Sequence, residues 1–382
     1  MRQYLAALAG AALLALACGG GDEGPRTAEG GGDGQRVYPE LDGMEYDVTL
    51  EVVDSIGVEL GDSNYVFGQP ATADFTPEGD IAVLDMQLFE VRIYDGGGEF
   101  LRSFGRQGSG PGEFQMASML DVAPNGEIVV CDAMGQKLVY FGPDGEYRDA
   151  LEGFFPAPPV MIDALDSAVV GIQPAFEQTE DGILSGMALR RWENEVTPVA
   201  TYHQDLKPFD PENMMTDMME DMMVFEASPD GRVFRSSIGS SRFVLVGYEP
   251  DGTEFLRVEE GIEPVPKTEE EIQEEIDLMR TRMIQGGAPP EMTEGYQPQP
   301  NRPSVAGLLL DDQGLLWVQL GTTETPTFFV LDQSGQRRFI AGLDYPGDAS
   351  NWSFSAMQGG RMLAVDINPQ IYPKVYILEV QE

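Results

Sequence analysis

Two stretches of this sequence share one pattern: GDIAVLDMQLFEVRIYDGGGEFLRSF (79–104) and GEIVVCDAMGQKLVYFGPDGEYRDAL (126–151). Each begins at a turn glycine, runs through a short apolar strand that ends in aspartate, and continues as strand, glycine turn and strand. The Gly, Asn and Asp of these turns supply the positive φ angles that tight hairpins need. The stretches start 47 residues apart, and their two turn glycines are 19 residues apart in both. The pattern predicts a repeated antiparallel unit.

Further copies of the unit start at Gly231, Gly314 and Gly360. The wide gap between Gly126 and Gly231 leaves room for a degenerate copy around 160–205. The gap between Gly231 and Gly314 is long enough for one unit plus an insertion. Six units of four strands at this period predict an all-β fold, a six-bladed β-propeller. The last unit has three strands of its own, so we expect TLEVVDS (49–55) to supply the fourth and close the ring.

The linker between the first two units, GRQGSGPGEF (105–114), places four glycines before a phenylalanine. This linker resembles that of NHL repeats. With the hairpins and the count of six units, the chain from about residue 45 to 382 resembles an NHL-like six-bladed β-propeller. The resemblance implies an architecture shared by ligand-binding scaffolds, protein-interaction modules and some enzymes, and it therefore leaves the function open.

The N-terminus has the pattern of an exported lipoprotein. Arg2 precedes an apolar run that is too short to span a bilayer comfortably and suits a signal peptide, 1–17. The run ends in Ala-Leu-Ala-Cys, which resembles a bacterial lipobox and predicts lipid on Cys18. Residues 18–40 then form a glycine-rich tether, and 41–382 the propeller. We expect a bacterial protein anchored to a membrane through Cys18, facing the periplasm or the cell exterior; the alternative is an ordinary signal peptide with an incidental cysteine.

The composition excludes several classes of function. The formal net charge of −42 opposes binding to nucleic acid. The single histidine, His203, excludes zinc and iron sites that need several histidines, and most histidine relays. With Cys18 lipidated, Cys131 has no disulfide partner within the chain, and its apolar surroundings predict a buried structural thiol. We expect no cofactor and a monomer.

Two insertions stand out from the repeats. The first, 267–287, is predicted to be a helix, because Thr268 and Glu271 form a capping box ahead of an apolar stripe. We interpret this helix as a lid packed on the propeller, or alternatively as a docking element. The second is a methionine-rich segment whose spacing fits an apolar helix face or, alternatively, a Cu(I) site. Its candidate metal ligands are Met214, Met215, Met218, Met219, Met222 and Met223.

In a propeller, the turns between strands 1 and 2 and between strands 3 and 4 lie on one face, here called the tight-turn face. The loops between strands 2 and 3 and the linkers between blades lie on the other, the long-loop face. Acid–base pairs recur across these second-to-third loops: Asp85 with Arg92, Asp132 with Lys137 and Asp366 with Lys374. The pairs brace each blade or, alternatively, surround the channel and hold a ligand. The candidate ligand-binding residues are Asp85, Arg92, Asp132, Arg242, Asp366 and Lys374.

The leading hypothesis is a non-enzymatic, lipid-anchored propeller that binds a protein partner or a small ligand on its long-loop face. This hypothesis rests on the single histidine, because one histidine does not suffice to assemble a catalytic nucleophile with its general base in this sequence. The alternative is a metal- or carboxylate-dependent hydrolase of the sugar-lactonase-like propeller type. That alternative requires carboxylates from several blades, such as Asp85, Asp132 and Asp366, to converge on the central channel.

Overall fold

Short apolar strands separated by glycine turns form a ring of antiparallel sheets. The computed structural model describes residues 45–381 except 211–212, 239–241, 262, 286–295 and 367–371. These residues form six blades of four main strands each, and they confirm the all-β, six-bladed β-propeller predicted from the repeats. The predicted signal peptide, Cys18 and most of the tether lie outside the described residues.

The first three blades follow the predicted order, and the weak third copy is present. Blade 1 consists of β2 (Pro70–Phe75), β3 (Ile81–Asp85), β4 (Glu90–Tyr94) and β5 (Phe100–Phe104). Blade 2 consists of β6 (Ala117–Val122), β7 (Ile128–Asp132), β8 (Lys137–Phe141) and β9 (Tyr147–Glu152). Blade 3 consists of β10 (Met161–Leu165), β11 (Ala168–Thr179), β12 (Gly182–Trp192), β13 (Ala200–Gln204) and the short β14 (Lys207–Pro208).

The last three blades carry both insertions and the closure. Blade 4 consists of β15 (Met223–Ala227), β16 (Val233–Ser237), β17 (Arg242–Tyr248) and β18 (Glu254–Gly261). Blade 5 consists of β19 (Val305–Leu310), β20 (Leu316–Leu320), β21 (Thr327–Leu331) and β22 (Arg337–Asp344). Blade 6 consists of β23 (Trp352–Gln358), β24 (Arg361–Asp366), β25 (Lys374–Gln381) and the N-terminal β1 (Val48–Ile56).

The predicted closing strand is confirmed. β1 pairs antiparallel with β25, so the first strand of the fold completes the last blade. β1 also pairs parallel with β22, the outermost strand of blade 5. Blades 5 and 6 therefore join into one eight-stranded sheet, and β1 has hydrogen-bonded neighbours on both sides.

The core lies between the blades, because each sheet is covered on both faces. In β3, Ile81 and Val83 pack toward blade 6, whereas Ala82 and Leu84 pack toward blade 2. This is the two-residue alternation of a strand, with apolar side chains on both sides. The first strands of consecutive blades contact one another in a closed ring around the axis. Side chains of these inner strands are thereby brought together from different blades.

The insertions form two helices, α1 (Met214–Glu220) and α2 (Glu269–Gln285). The predicted capping box is present: the Glu271 carboxylate accepts from the backbone N–H of Thr268, and the Thr268 hydroxyl accepts from that of Glu271. Ile276 and Met279 of α2 pack into the cluster formed by blades 3 and 4. Among the described residues, none of the helices is both long and apolar enough to cross a membrane.

Candidate functional site

The two faces of the propeller differ in what they expose. Blade 3 differs most, because β11 and β12 continue well beyond the strands of the other blades. With a rise of about 3.3 Å per residue, this hairpin stands roughly 20 Å above the long-loop face. Several large apolar side chains are exposed on the same face. They are Val58, Leu60, Leu88, Met134, Phe155, Ile183 and Tyr372.

Asp85, a predicted ligand-binding residue, ends β3 at the long-loop face and is fully buried. One carboxylate oxygen accepts from the backbone N–H of Gly68 at 2.7 Å. The other accepts from Gln69, Gln87 and Leu88, each at 3.1 Å. The carboxylate thus ties the incoming linker to the loop after β3. Four backbone donors leave it little capacity for a ligand, which favours the bracing role.

Asp132 repeats this arrangement in blade 2 and is also fully buried. It accepts from the backbone N–H groups of Gln115, Met116 and Gly135 at 3.0, 2.8 and 3.1 Å. Lys137 lies 3.9 Å from the same carboxylate and is itself buried. The pairing expected from the sequence between Asp132 and Lys137 is therefore present, but the backbone donors lie closer than the ammonium group.

We expect Asp132→Asn to lower the free energy of unfolding by about 2 kcal/mol, because charge-assisted hydrogen bonds to buried donors are lost. Urea denaturation measures the change. Asp181→Asn, on the exposed tip of the blade 3 hairpin, is the control and should be neutral within about 0.5 kcal/mol. Equal stability of the two variants would contradict a bracing role for Asp132.

Arg92 does not pair with Asp85 as the sequence pattern predicted. Its Nε donates to Glu90 at 2.6 Å, and its Nη1 donates to the carbonyl of Val66 at 2.8 Å. The reason is geometric: the Asp85 carboxylate turns toward the linker backbone, and Arg92 reaches the segment that precedes β2. The guanidinium therefore also braces blade 1.

The remaining predicted residues lie apart in blades 4 and 6. Asp366 is buried at the end of β24 and stands opposite Lys374 in the register of β24 and β25. The Lys374 ammonium lies over the rings of Tyr372 and Tyr376. Arg242 is exposed at the start of β17. A ligand-binding role for these three residues stays a prediction.

The methionine-rich segment packs against the propeller. Met219, Met222 and Met223 are buried in the cluster between blades 3 and 4, and Met218 packs at its edge. The side chains of Met214 and Met215 lie outside the described residues. Met279 of α2 joins the same cluster, so this segment connects the inserted helix to the propeller. The packing interpretation accounts for these contacts, and copper binding stays a prediction.

The carboxylates that come together around the axis are a different set, here called the channel acids. They are Asp74, Asp121, Asp163 and Glu226, one on the first strand of each of blades 1 to 4. The corresponding positions in blades 5 and 6 are apolar, Leu309 and Ala356. Sequence reasoning missed this set, although it carries a signal: Asp74, Asp121 and Glu226 each stand five residues before the turn glycine of their blade.

Each channel acid of the first three blades bonds to the next blade. The carboxylate of Asp74 accepts from the backbone N–H of Val122 at 2.8 Å. Asp121 accepts from Ala164 and Asp163 from Ala227, both at 2.5 Å. In every case the donor is the residue directly after the next channel acid. These bonds staple consecutive blades at the axis, and they hold the acids close to one another.

Burial raises the pKa of all four channel acids, and repulsion from neighbouring acids adds to it for Asp121, Asp163 and Glu226. Burial is the largest cause throughout, and it raises the pKa of Asp74 to about 6 and that of Asp163 to about 7. The pKa values of Asp121 and Glu226 lie well above their usual range, because neighbouring channel acids add repulsion to the cost of burial. The set therefore retains protons near neutral pH.

The channel acids do not form a metal site of the usual kind. Within the part of the chain that the structure describes, no three His, Cys, Asp or Glu side chains are grouped so as to hold a metal ion. Three of the acids also use an oxygen for the next blade. All four channel acids lie toward the tight-turn ends of their strands, whereas the sequence analysis predicted a functional site on the long-loop face. The residues thus do not fit the metal that the hydrolase alternative calls for.

His203 and Cys131 offer no general base or nucleophile. His203 lies in β13, where burial and then the charge of Arg235 lower its pKa to about 4. Cys131 is fully buried, its Sγ donates to the carbonyl of Pro159, and burial raises its pKa to about 12. A thiol held protonated in this way is unreactive, as the structural interpretation of Cys131 predicted.

An open depression of about 400 Å³ lies on the long-loop face at blade 2. Gln107 and Ser109 of the glycine-rich linker line it, together with Gln115, which follows the linker, and Met134. Phe155 lies in the linker that follows β9. This linker is close to the loop that contains Met134, because the side chain of Gln136 in that loop donates to the carbonyl of Pro156. Apolar and amide side chains of this kind provide contact area without charge.

Comparisons with known proteins agree with the propeller. A family model described as a 6-bladed beta-propeller matches residues 53–152. No curated protein matches the chain.

Several solved structures are similar at low identity. A streptogramin B lyase is 11% identical with a TM-score of 0.46, over 87% of this chain and 97% of that one. A gluconolactonase from Xanthomonas campestris is 12% identical with a TM-score of 0.45, over 86% and 98%. The WD40 repeats of RRP9 are 10% identical with a TM-score of 0.48, over 88% and 100%. At such identities the similarity concerns the fold alone.

Proposed function

We propose that this six-bladed propeller is a non-catalytic scaffold of a bacterial cell envelope, anchored by lipid on Cys18, that binds a basic protein partner on its long-loop face. The observation that carries the proposal is the relative exposure of Met134, which lines the blade 2 depression, and of Phe155, which follows β9 nearby, at 61% and 74%. Large apolar side chains exposed next to each other mark interaction sites.

Charge defines the class of partner. The chain carries a net charge of −42, and exposed acids stand beside the apolar side chains: Glu152 precedes Phe155, and Glu180 and Asp181 form the tip of the blade 3 hairpin. A basic partner would be attracted to this face, and an acidic one would be repelled. An apolar centre with a charged rim is the usual anatomy of a protein interface.

The chemistry of the described residues supports a scaffold over the hydrolase. His203 is neutral at pH 7 and lies on the outermost main strand of blade 3, and Cys131 is buried. The channel acids are engaged in bonds between blades and are not arranged as metal ligands. The proposal therefore assigns no reaction and no cofactor to the chain.

Site-specific photo-crosslinking in the native host tests the proposal. The full chain carries benzoylphenylalanine at Met134 or Phe155, or at the control positions Leu101 and Tyr147, which are exposed on outer strands. We expect a discrete crosslinked protein from the first two positions alone. In the chain with the crosslinker at Met134, Phe155→Asp should reduce the yield about tenfold, as loss of an interface anchor does.

Two outcomes would argue against the scaffold. Equal yields from all four positions would mean non-specific contact, and no product from Met134 or Phe155 would leave the face without a partner. Cys18→Ser in the same cells tests the anchor separately. We expect that chain in the soluble fraction, and its retention in the membrane fraction would contradict lipid attachment at Cys18.

A further inference from the structure

Arg190, in β12, is a partly buried cation whose contacts are all with neutral groups. Its Nη1 donates to Oε1 of Gln173 at 3.0 Å, and its Nη2 donates to Oε1 of Gln204 at 2.8 Å. Burial lowers the pKa of this guanidinium, and no carboxylate of the described residues compensates for it. A desolvated charge without a counter-ion is costly, above all in a chain with so many acids to choose from.

The Nε–H of Arg190 is buried and finds no acceptor among the described residues. In a guanidinium, the N–H bonds of Nε and Nη2 point the same way along one edge, and this edge matches the two oxygens of a carboxylate. At Arg190 the Nη2 of that edge donates to the Gln204 amide oxygen, and the Nε–H beside it is unsatisfied. An amide has one oxygen and cannot fill both positions.

The two glutamines differ in their freedom to move. Gln173 is 3% exposed, and its Nε2 donates to the carbonyl of Ala157 at 2.7 Å, so its amide is fixed between Arg190 and the linker into blade 3. Gln204 is the last residue of β13, and its side chain is exposed. Gln204 therefore covers the edge from the solvent side and has room to turn away.

We propose that Arg190 binds the carboxylate of a small monoanionic ligand, whose two oxygens replace the Gln204 amide oxygen and engage Nε and Nη2 together. The ligand enters from the long-loop face at the seam between blades 2 and 3. Phe155 lies two residues before Ala157 along the linker that walls the site, and its exposed ring offers contact to an apolar group on the ligand.

Net charge selects the monoanion. The field of a chain with a charge of −42 opposes the approach of any anion, and the cost grows with each further charge. Sulfate and phosphate therefore meet a larger penalty than a carboxylate. The bidentate contact between the Arg190 guanidinium and the ligand carboxylate offsets the repulsion of a single negative charge, because it is short and lies where salt and water screen little.

Two other arginines with an unsatisfied Nε lack these features. The Nη2 of Arg102 donates to the backbone carbonyl of Pro143 at 2.6 Å, an acceptor that cannot swing aside. Arg191 has the carboxylate of Glu193 at 3.5 Å. Arg102 is thus a matched control. The site shares the exposed ring of Phe155 with the proposed partner face, but its anion contact is made by Arg190, so a missing partner protein would not bear on it.

Proton–nitrogen NMR of the arginine Nε–H groups of the full chain, with sodium 3-phenylpropionate as the probe, tests the proposal. We expect a saturable shift of the Arg190 signal with a Kd of about 1 mM or tighter. The uncharged 3-phenylpropanamide should give no shift, and sodium sulfate should bind about tenfold more weakly. Arg190→Gln should abolish the saturable probe response, whereas Arg102→Gln should keep it.

A second variant keeps the test sharp if Arg190→Gln fails to fold. Gln204→Glu places a carboxylate within the chain where the ligand is expected, so the melting temperature should rise and the probe should no longer bind. The proposal is overturned if 3-phenylpropionate leaves the Arg190 signal of the wild-type chain unchanged. It is also overturned if the amide or sulfate binds as well as the carboxylate, or if Gln204→Glu binds the probe like wild type.

Discussion

The Leu50→Asp chain is expected to be less stable than wild type by about 5 kcal/mol or more, enough to open the ring or to unfold the domain. Leu50 is fully buried in β1 and stands opposite Val380 of β25 on one side and Leu343 of β22 on the other. An aspartate there buries a charge between two apolar strands with no partner to pair it. Because β1 joins blade 5 to blade 6, the loss affects the closure of the whole propeller.

The same strand supplies the control. Val53 lies three residues further along β1, at the bulge, and is 47% exposed. Val53→Asp should stay within about 0.5 kcal/mol of wild type. Urea denaturation followed by tryptophan fluorescence measures both variants. If Leu50→Asp unfolds at the wild-type midpoint, β1 is not the strand that closes the ring.

The stability of this propeller should fall as pH rises from 6.5 to 8.5, which is the second large effect. The channel acids have raised pKa values in the folded state: about 6 for Asp74 and about 7 for Asp163, while those of Asp121 and Glu226 lie well above their usual range because of burial and neighbouring acids. The folded chain then holds protons that the unfolded chain has released, since ordinary carboxyl pKa values lie near 4. Each retained proton lowers the free energy of unfolding by about 1.4 kcal/mol per pH unit.

The window matters because His203 acts in the opposite direction. Its pKa is lowered to about 4, so between about pH 4 and 6.5 the unfolded chain binds an extra proton at His203, and this one group opposes the effect of the channel acids. Above about pH 7.5 this histidine is largely neutral in both states. We therefore expect the channel acids to lower the free energy of unfolding between pH 6.5 and 8.5 by about 1.4 kcal/mol per pH unit for each proton that the folded chain retains.

Glu226→Gln isolates the cause of the pH dependence. The amide keeps the shape of the side chain and removes one titrating group. The free energy of unfolding should therefore fall less steeply with pH above pH 6.5, by the contribution of about one proton, and the melting temperature at pH 8.5 should rise. Glu78→Gln, on the exposed turn after β2, should leave the slope unchanged. A pH-independent wild-type chain, or equal slopes for both variants, would mean that the channel acids are ionised when folded.

The contacts of the candidate site residues were harder to predict from the sequence than the fold. The recurrence of Asp85 and Asp132 was visible, and their bracing role follows from the repetition. Their partners were not, because the backbone N–H groups of Gly68 and Gln115 come from linkers whose path depends on the neighbouring blade. The pairing of Arg92 with Glu90 instead of Asp85 has the same origin.

The sequence alone determined the elements whose hydrogen bonds are local. The turn glycines, 19 or 21 residues apart within a unit, specify the hairpins. Alternating apolar residues specify strands covered on both sides, and Thr268 with Glu271 specifies the start of α2. The tertiary structure decided which side chains come together at the propeller axis and between neighbouring blades. Asp74 and Asp121 stand 47 residues apart in the chain and become neighbours when consecutive blades pack. Their protonation, like the missing counter-ion of Arg190, follows from burial and distance, which the order of residues does not contain.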